Sequence, residues 1–282
     1  MAFPAINKLI KFIKIYSQST LKLPDHQAKK GQNLLTNISF IPVFTYPDSG
    51  QLKSKFSQLI YCTCNHNWQH YNQNCYARYG IQQPKELALA TAKRHCEFIA
   101  GRYCASQAIK NLAQPPNSTS ETQILIQPDR SPLWPQSIVG SISHSGKRAV
   151  AVAGNAQRYS GLGIDCESLL TESLAAEITD LVLHPLDRGL LLNRPSQQEL
   201  NRGFLVTLAF SAKESLFKAL SPSVTNIKGF HDFSIRHISG EELILSPTKK
   251  LSSSLSTATE FRVSYVKQAD FIVTMAIITV KN

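Results

Sequence analysis

Two helix-forming stretches, each set among short runs of alternating or apolar residues, limit the possible folds more than any other feature of this chain. Residues 84–112 form the first. Pro84 suits a first helical position and Glu86 a first turn, while Leu87, Leu89, Ala90, Ala100, Ala108, Ile109 and Leu112 supply an apolar side. Gln114-Pro115-Pro116-Asn117-Ser118 then ends it. In the second half, residues 171–193 read as helical with an interruption near Pro185, residues 198–210 as helical again, and a new helix is expected from Ser211. Strands are expected within residues 36–62, around a turn at Tyr46–Gly50, and at Ile124–Ile126, Ala149–Ala153, Gly161–Glu167, Glu242–Leu245, Phe261–Val266 and Phe271–Val280. Ser252–Ser256 reads as a loop between the last of these. No short-period repeat is visible. The pattern predicts an α+β protein of two similarly built halves, and 282 residues suffice for one large domain or two ordinary ones.

Charge narrows the partners. The chain carries 30 Lys+Arg against 19 Asp+Glu, a formal +11, which calls for a polyanion or an acidic protein. With 17% charged and 43% apolar residues it is globular rather than disordered. No run reaches the roughly 18–20 apolar residues of a membrane span, and the start, MAFPAINKLIKFIKIY, lacks the apolar core and cleavage site of a signal peptide. Six cysteines in such a chain are expected as thiols in a reducing cytoplasm. Residues 1–30 hold six lysines and one aspartate, and read either as an amphipathic surface helix or as a solvated terminal segment.

Four clusters bear chemistry. In Gly161-Leu-Gly-Ile-Asp-Cys-Glu167, strand alternation puts Asp165 and Glu167 on one face and Leu162, Ile164 and Cys166 on the other. Two like charges on one face suit a divalent cation such as Mg²⁺; incidental acids on a solvated strand edge give the same pattern. In Ser211-Ala-Lys-Glu-Ser-Leu-Phe-Lys218, Glu214 and Lys218 share a helix face. Ser211 with Glu214 also reads as a capping box, and Glu214–Lys218 as an ordinary stabilising pair. Gly140-Ser-Ile-Ser-His-Ser-Gly146 offers Ser143 and His144 near a glycine turn, as an anion contact or as plain polar turn residues. Arg94 and Arg102 lie eight apart on the first helix, roughly 80° around its axis, so they can address one anion or simply form a basic solvated face.

Taken in order, Lys93-Arg-x-x-Glu-Phe-x-Ala-Gly-Arg102, Pro132-Leu-Trp-Pro135, Gly140–Gly146, Gly163-Ile-Asp-Cys-Glu167 and Ser211-Ala-Lys-Glu-Ser-Leu-Phe-Lys218 resemble the 4′-phosphopantetheinyl transferases. The similarity is to the enterobactin-synthase type within the surfactin-type group, and covers about residues 75–235. It implies two pseudo-symmetric α+β halves, each a small, mainly antiparallel sheet with a long helix, and an active site in the cleft between them. Residues 1–156 would form the half that contacts the 3′-phosphate and adenosine of coenzyme A, and residues 157–282 the half with the metal and the catalytic helix. The implied reaction moves the phosphopantetheine arm of coenzyme A to a serine of an apo acyl or peptidyl carrier protein, with Mg²⁺, releasing adenosine 3′,5′-bisphosphate. By the same resemblance Asp165, Glu167 and Glu214 hold the metal, or Glu167 instead takes the serine proton, directly or through water. Lys218 stabilises the leaving phosphate, and Lys213 lies near the pyrophosphate. Arg94, Arg102, Arg130, Ser143 and His144 hold the 3′-phosphate and adenosine end. Cys166 departs from the aliphatic residue usual between the two acids. The resemblance implies a monomer with an acidic carrier partner, serving siderophore, polyketide, non-ribosomal peptide or polyunsaturated fatty acid synthesis.

Other functions leave weaker traces. Cys62, Cys64, His66, His70 and Cys75 suggest zinc, at a spacing that matches no standard knuckle. A basic nucleic-acid-binding protein fits the charge, without a recognition motif. A non-catalytic coenzyme A-binding relative is disfavoured by the presence of all three acids.

Overall fold

The computed structural model describes residues 33–42, 59–112, 123–192, 201–221, 223–224, 226–248, 251 and 260–280. The lysine-rich start, the Tyr46–Gly50 turn, Gln114–Ser118 and Ser252–Ser256 lie outside the described residues. The chain divides into two units: one ends at Ser160 and takes in Thr279, the other runs Gly161–Ile278.

The first unit is a four-stranded sheet and a long helix. Its strands β1 (Leu35–Pro42), β2 (Leu59–His66), β5 (Ile138–Ser145) and β6 (Arg148–Asn155) lie in the order β1-β2-β6-β5. All three pairings are antiparallel, and β5 and β6 are joined by a tight turn at Gly146, whose φ is +59°. A short helix α1 (Cys75–Arg78) precedes α2 (Ala92–Asn111), and a two-stranded ribbon joins β3 (Leu125–Ile126) to β4 (Pro132–Leu133). Cys62, Cys64 and His66 alternate inward from β2 and meet Cys96 and Cys104 of α2, while Ala149, Ala151 and Ala153 of β6 join the same core. Small residues let the helix sit close to the sheet: a Cβ on Gly101 would come within 2.8 Å of Ile142. All six cysteines, these four with Cys75 and Cys166, are free and buried.

One expectation fails here. The helix does not start at Pro84. Lys85–Leu87 forms a single 3₁₀ turn, and α2 begins after Thr91, whose hydroxyl accepts from the Arg94 N–H at 3.3 Å. A threonine cap satisfies a first-turn donor that a proline start would leave open. Leu89, expected on the apolar side, falls in the connection and is fully exposed.

The second unit repeats the plan. β7 (Tyr159–Ser168), β8 (Phe233–Ile238), β9 (Glu242–Pro247), β10 (Phe261–Lys267) and β11 (Phe271–Thr279) form a sheet in the order β7-β11-β10-β9-β8. The β8–β9, β9–β10 and β10–β11 pairs are antiparallel. Helices α3 (Glu172–Val182), α4 (Pro185–Leu192) and α5 (Arg202–Leu220) accompany it. Phe204, Leu208, Phe210 and Leu216 of α5 are buried in one core with Leu243, Val263 and Ile272. Burying a side chain of this size is worth about 1.5–3 kcal/mol. The α+β class, antiparallel sheets and paired long helices agree with the sequence reading, and β8 is a strand that reading did not resolve.

The expected new helix at Ser211 does not exist. α5 is continuous, and its cap is Asn201, whose side chain accepts from the Phe204 N–H at 2.7 Å. Ser211 lies in mid-helix and is wholly buried, so the capping box is overturned and its hydroxyl is released for another partner.

Candidate catalytic centre and anion site

In the second unit, β7 is laid directly on α5. A Cβ on Gly163 would stand 1.7 Å from the Ser215 carbonyl oxygen, and one on Gly161 2.0 Å from that of Ala219. No flexible side chain is there to give way, so only glycine permits this spacing. The contact delivers Asp165 to the helix face formed by Ser211, Glu214 and Lys218, residues three and four apart on successive turns.

Asp165 is 2% exposed, and Glu167 and Glu214 6% each. Lys218 Nζ donates to Asp165 Oδ1 at 2.7 Å and to the Ile164 carbonyl at 3.1 Å. Ser211 Oγ donates to Asp165 Oδ2 at 2.8 Å. Behind it, Thr274 of β11 donates to the Ser211 carbonyl at 2.8 Å and lies 2.9 Å from Ser211 Oγ. Two hydroxyl hydrogens thus serve three oxygen contacts, and the carboxylate's claim on the serine proton orders the rest. Burial works against the Lys218 ammonium, but the charges of Asp165 and Glu214 outweigh it and raise its pKa above the usual lysine range.

Three nearly buried carboxylates from two elements are oxygen-donor chemistry suited to Mg²⁺. Among the described residues, however, no three His, Cys, Asp or Glu side chains converge closely enough to hold a metal ion. The positive group on Asp165 is the Lys218 ammonium. The donor types fit; Asp165, Glu167 and Glu214 are not drawn to one point.

Lys213 belongs to neither arrangement. Five residues from Lys218, it points about 140° away around the helix. Its Nζ donates to Asp187 Oδ2 at 2.5 Å and to the Val182 carbonyl at 2.9 Å, with both charged groups essentially unexposed. Burial chiefly lowers its pKa, against the opposing pull of Asp187. Asp187 in turn accepts from the backbone N–H groups of His184 and Ile235. Its expected place near a pyrophosphate is corrected: this lysine ties α5 to α3, α4 and β8.

In the first unit, α2 and β5 bring Arg94 and His144 together. Arg94 Nη1 donates to His144 Nε2 at 3.1 Å, and Glu97 Oε2 lies 3.5 Å from Arg94 Nη1 and 3.7 Å from His144 Nδ1. Arg102 is 8% exposed, stacks 4.7 Å over the Phe98 ring and donates to the Leu125 carbonyl at 3.3 Å. Its Nε–H has no partner among the described residues. Burial first, then the charge of Arg94, lowers its pKa to about 10. An anion at the Arg102 Nε–H would satisfy that donor and offset the repulsion from Arg94.

Two expected contacts stand apart from this pair. Ser143 alternates with His144, pairs with Val150 and is buried on the face away from Ile142 and α2. Arg130 is exposed at the tip of the Gln127–Ser131 turn, at φ +71°, in a loop held by Asp129 accepting from the Ser131 N–H and hydroxyl. The Leu-Trp-Pro segment acts through packing: a Cβ on Gly140 would meet the Trp134 ring at 2.5 Å. Ser211, Thr274 and Glu97 were missed as site residues. A threonine in the middle of the apolar run Phe271–Ile278 is the available signal for Thr274.

Residues 83–154 match the family of 4′-phosphopantetheinyl transferase N-terminal domains, and residues 161–276 the 4′-phosphopantetheinyl transferase superfamily. The chain belongs to the 4′-phosphopantetheinyl transferase superfamily. Within it, the similarity is to the enterobactin-synthase type. It is 32% identical to enterobactin synthase component D of Escherichia coli over 57% of this chain and 70% of that protein. The corresponding protein of Salmonella typhimurium is 29% identical over 67% of this chain and 74% of its own length. The transferase Npt of Nocardia iowensis is 34% identical over 52% of this chain, which spans 60% of that relative's length.

Proposed function

We propose that this chain transfers the 4′-phosphopantetheine arm of coenzyme A to a serine of an apo acyl or peptidyl carrier protein, releasing adenosine 3′,5′-bisphosphate. The observation that carries the reading is the buried cluster in which Lys218 and Ser211 grip Asp165 beside Glu214, in the segment matched to the superfamily. The pyrophosphate is attacked in line, so the protein's contribution is positioning and charge neutralisation. Asp165, Glu167 and Glu214 would hold Mg²⁺, which supplies charge neutralisation at the phosphate oxygens. Glu167 takes the serine proton directly or through water. Lys218, kept charged by its acidic neighbours, stabilises the leaving phosphate. Arg94, Arg102 and His144 bind the 3′-phosphate. The chain acts as a monomer, and its surplus of basic residues draws an acidic carrier. The relatives named for enterobactin synthesis make a siderophore-type peptidyl carrier the first substrate to try.

The test is direct. Incubation with coenzyme A, Mg²⁺ and a panel of apo carrier proteins should increase carrier mass by one phosphopantetheine, read by mass spectrometry. No gain on any carrier would overturn the assignment.

A further inference from the structure

Glu97 has no role in the reaction as described, yet its side chain, 13% exposed, faces three basic groups. Lys93 Nζ lies 3.9 Å from Oε1, and Arg94 Nη1 and His144 Nδ1 lie 3.5 and 3.7 Å from Oε2. A guanidinium only donates, so His144 Nε2, 3.1 Å from Arg94, is the unprotonated nitrogen. The ring proton therefore sits on Nδ1, facing Glu97. The opposite tautomer would turn a lone pair toward a carboxylate.

This arrangement has a consequence for any phosphate that arrives. Once Arg94 turns to the phosphate, a neutral His144 would present the Nε2 lone pair to a dianion. We propose that His144 takes up a proton from solvent when the 3′-phosphate of coenzyme A binds, with Glu97 as the positioning residue that dictates the tautomer and holds the imidazolium. Nε2–H then donates to the phosphate and Nδ1–H to Glu97, so the ring's charge lies between two anions. The charged groups facing His144 are Lys93, Arg94 and Glu97 from α2; on β6 its cross-strand partner is the uncharged Ala149, and Arg148 shares the opposite face with Ser145. This inference rests on the coenzyme A reading and adds to it a proton-coupled mode of binding.

Titration calorimetry at pH 8, in two buffers of different ionisation enthalpy, reads the uptake. At that pH a free phosphate monoester is already fully ionised, so its own titration does not mask the signal. Wild type should take up most of a proton on binding coenzyme A and none on binding dephospho-coenzyme A, which lacks the 3′-phosphate. Its affinity for coenzyme A should weaken by up to about tenfold per pH unit above neutrality. In Glu97→Gln the amide can donate to Nδ1, freeing Nε2–H in a neutral ring. That variant should bind coenzyme A with no uptake and a flat pH profile, and His144→Gln should also show no uptake. Coenzyme A binding without uptake in wild type, or uptake that survives in His144→Gln, would overturn the inference and leave the coenzyme A reading standing. No coenzyme A binding by wild type would remove both.

Discussion

Ser211 is the residue whose meaning changes most between sequence and fold. Asp165 is buried, and Ser211 and Lys218 both donate to its carboxylate. Removing one donor takes a hydrogen bond from a buried carboxylate. Ser211→Ala is therefore expected to cost about 1–3 kcal/mol of stability, read by denaturant unfolding, and to lower kcat by roughly tenfold or more. Unchanged kcat would show that the hydroxyl serves packing alone. Asp165, Glu167, Glu214 and Lys218 were legible because alternation in a strand and spacing in a helix fix which side chains share a face. Ser211 was misread because a serine followed three residues later by glutamate carries the same local pattern at a helix start and in mid-helix. Only the buried acid across from it separates the two, and that is a long-range contact.

At the scale of elements, α5 has two charged faces with different duties. One carries Ser211, Glu214 and Lys218 against β7; the other sends Lys213 to Asp187, fixing the α3–α4 junction and β8. Breaking the second pair from one side strands a charge in the core, so Lys213→Met should cost about 3–5 kcal/mol. The double variant Lys213→Met/Asp187→Leu should recover much of that loss, partly offset because Asp187 also accepts from two backbone groups. Chemical denaturation of the three proteins checks the order. This role was hidden in the sequence, since Lys213, Glu214 and Lys218 form one short motif and a motif does not say which way each residue points. The long helices, the β-rich tail and the α+β class were legible from apolar spacing. The helix start was not: Pro84 and Thr91 are both acceptable openings, and Leu89 decides between them only once its exposure is known.

For the whole molecule, acid stability and carrier affinity follow from charge. His66, buried at the end of β2 against Cys96, has its pKa lowered from 6.5 to about 4, by burial first and then by Lys93. The folded value is depressed, so the unfolded chain takes the proton first as pH falls. Stability is then lost progressively from about pH 6.5 to about pH 4, by about 3 kcal/mol for this one group. Between about pH 6.5 and pH 4 the melting temperature of wild type should fall relative to that of His66→Gln, which has no titrating group there. Parallel curves would remove His66 from the account. The net charge of +11 predicts that KM for an acidic carrier rises steeply with salt, with a smaller effect on kcat. A salt-independent KM would mean that the basic surplus serves the coenzyme A phosphates alone.

The six buried thiols make the protein its own unfolding reporter. Five lie in the first unit and Cys166 in the second, beside Asp165, so a thiol-reactive dye should stay idle with the native protein and label each unit as it opens. Peptide mapping of the adducts would time the two openings separately in one tube. A single cysteine introduced on the surface would take a fluorophore selectively without any native cysteine being replaced.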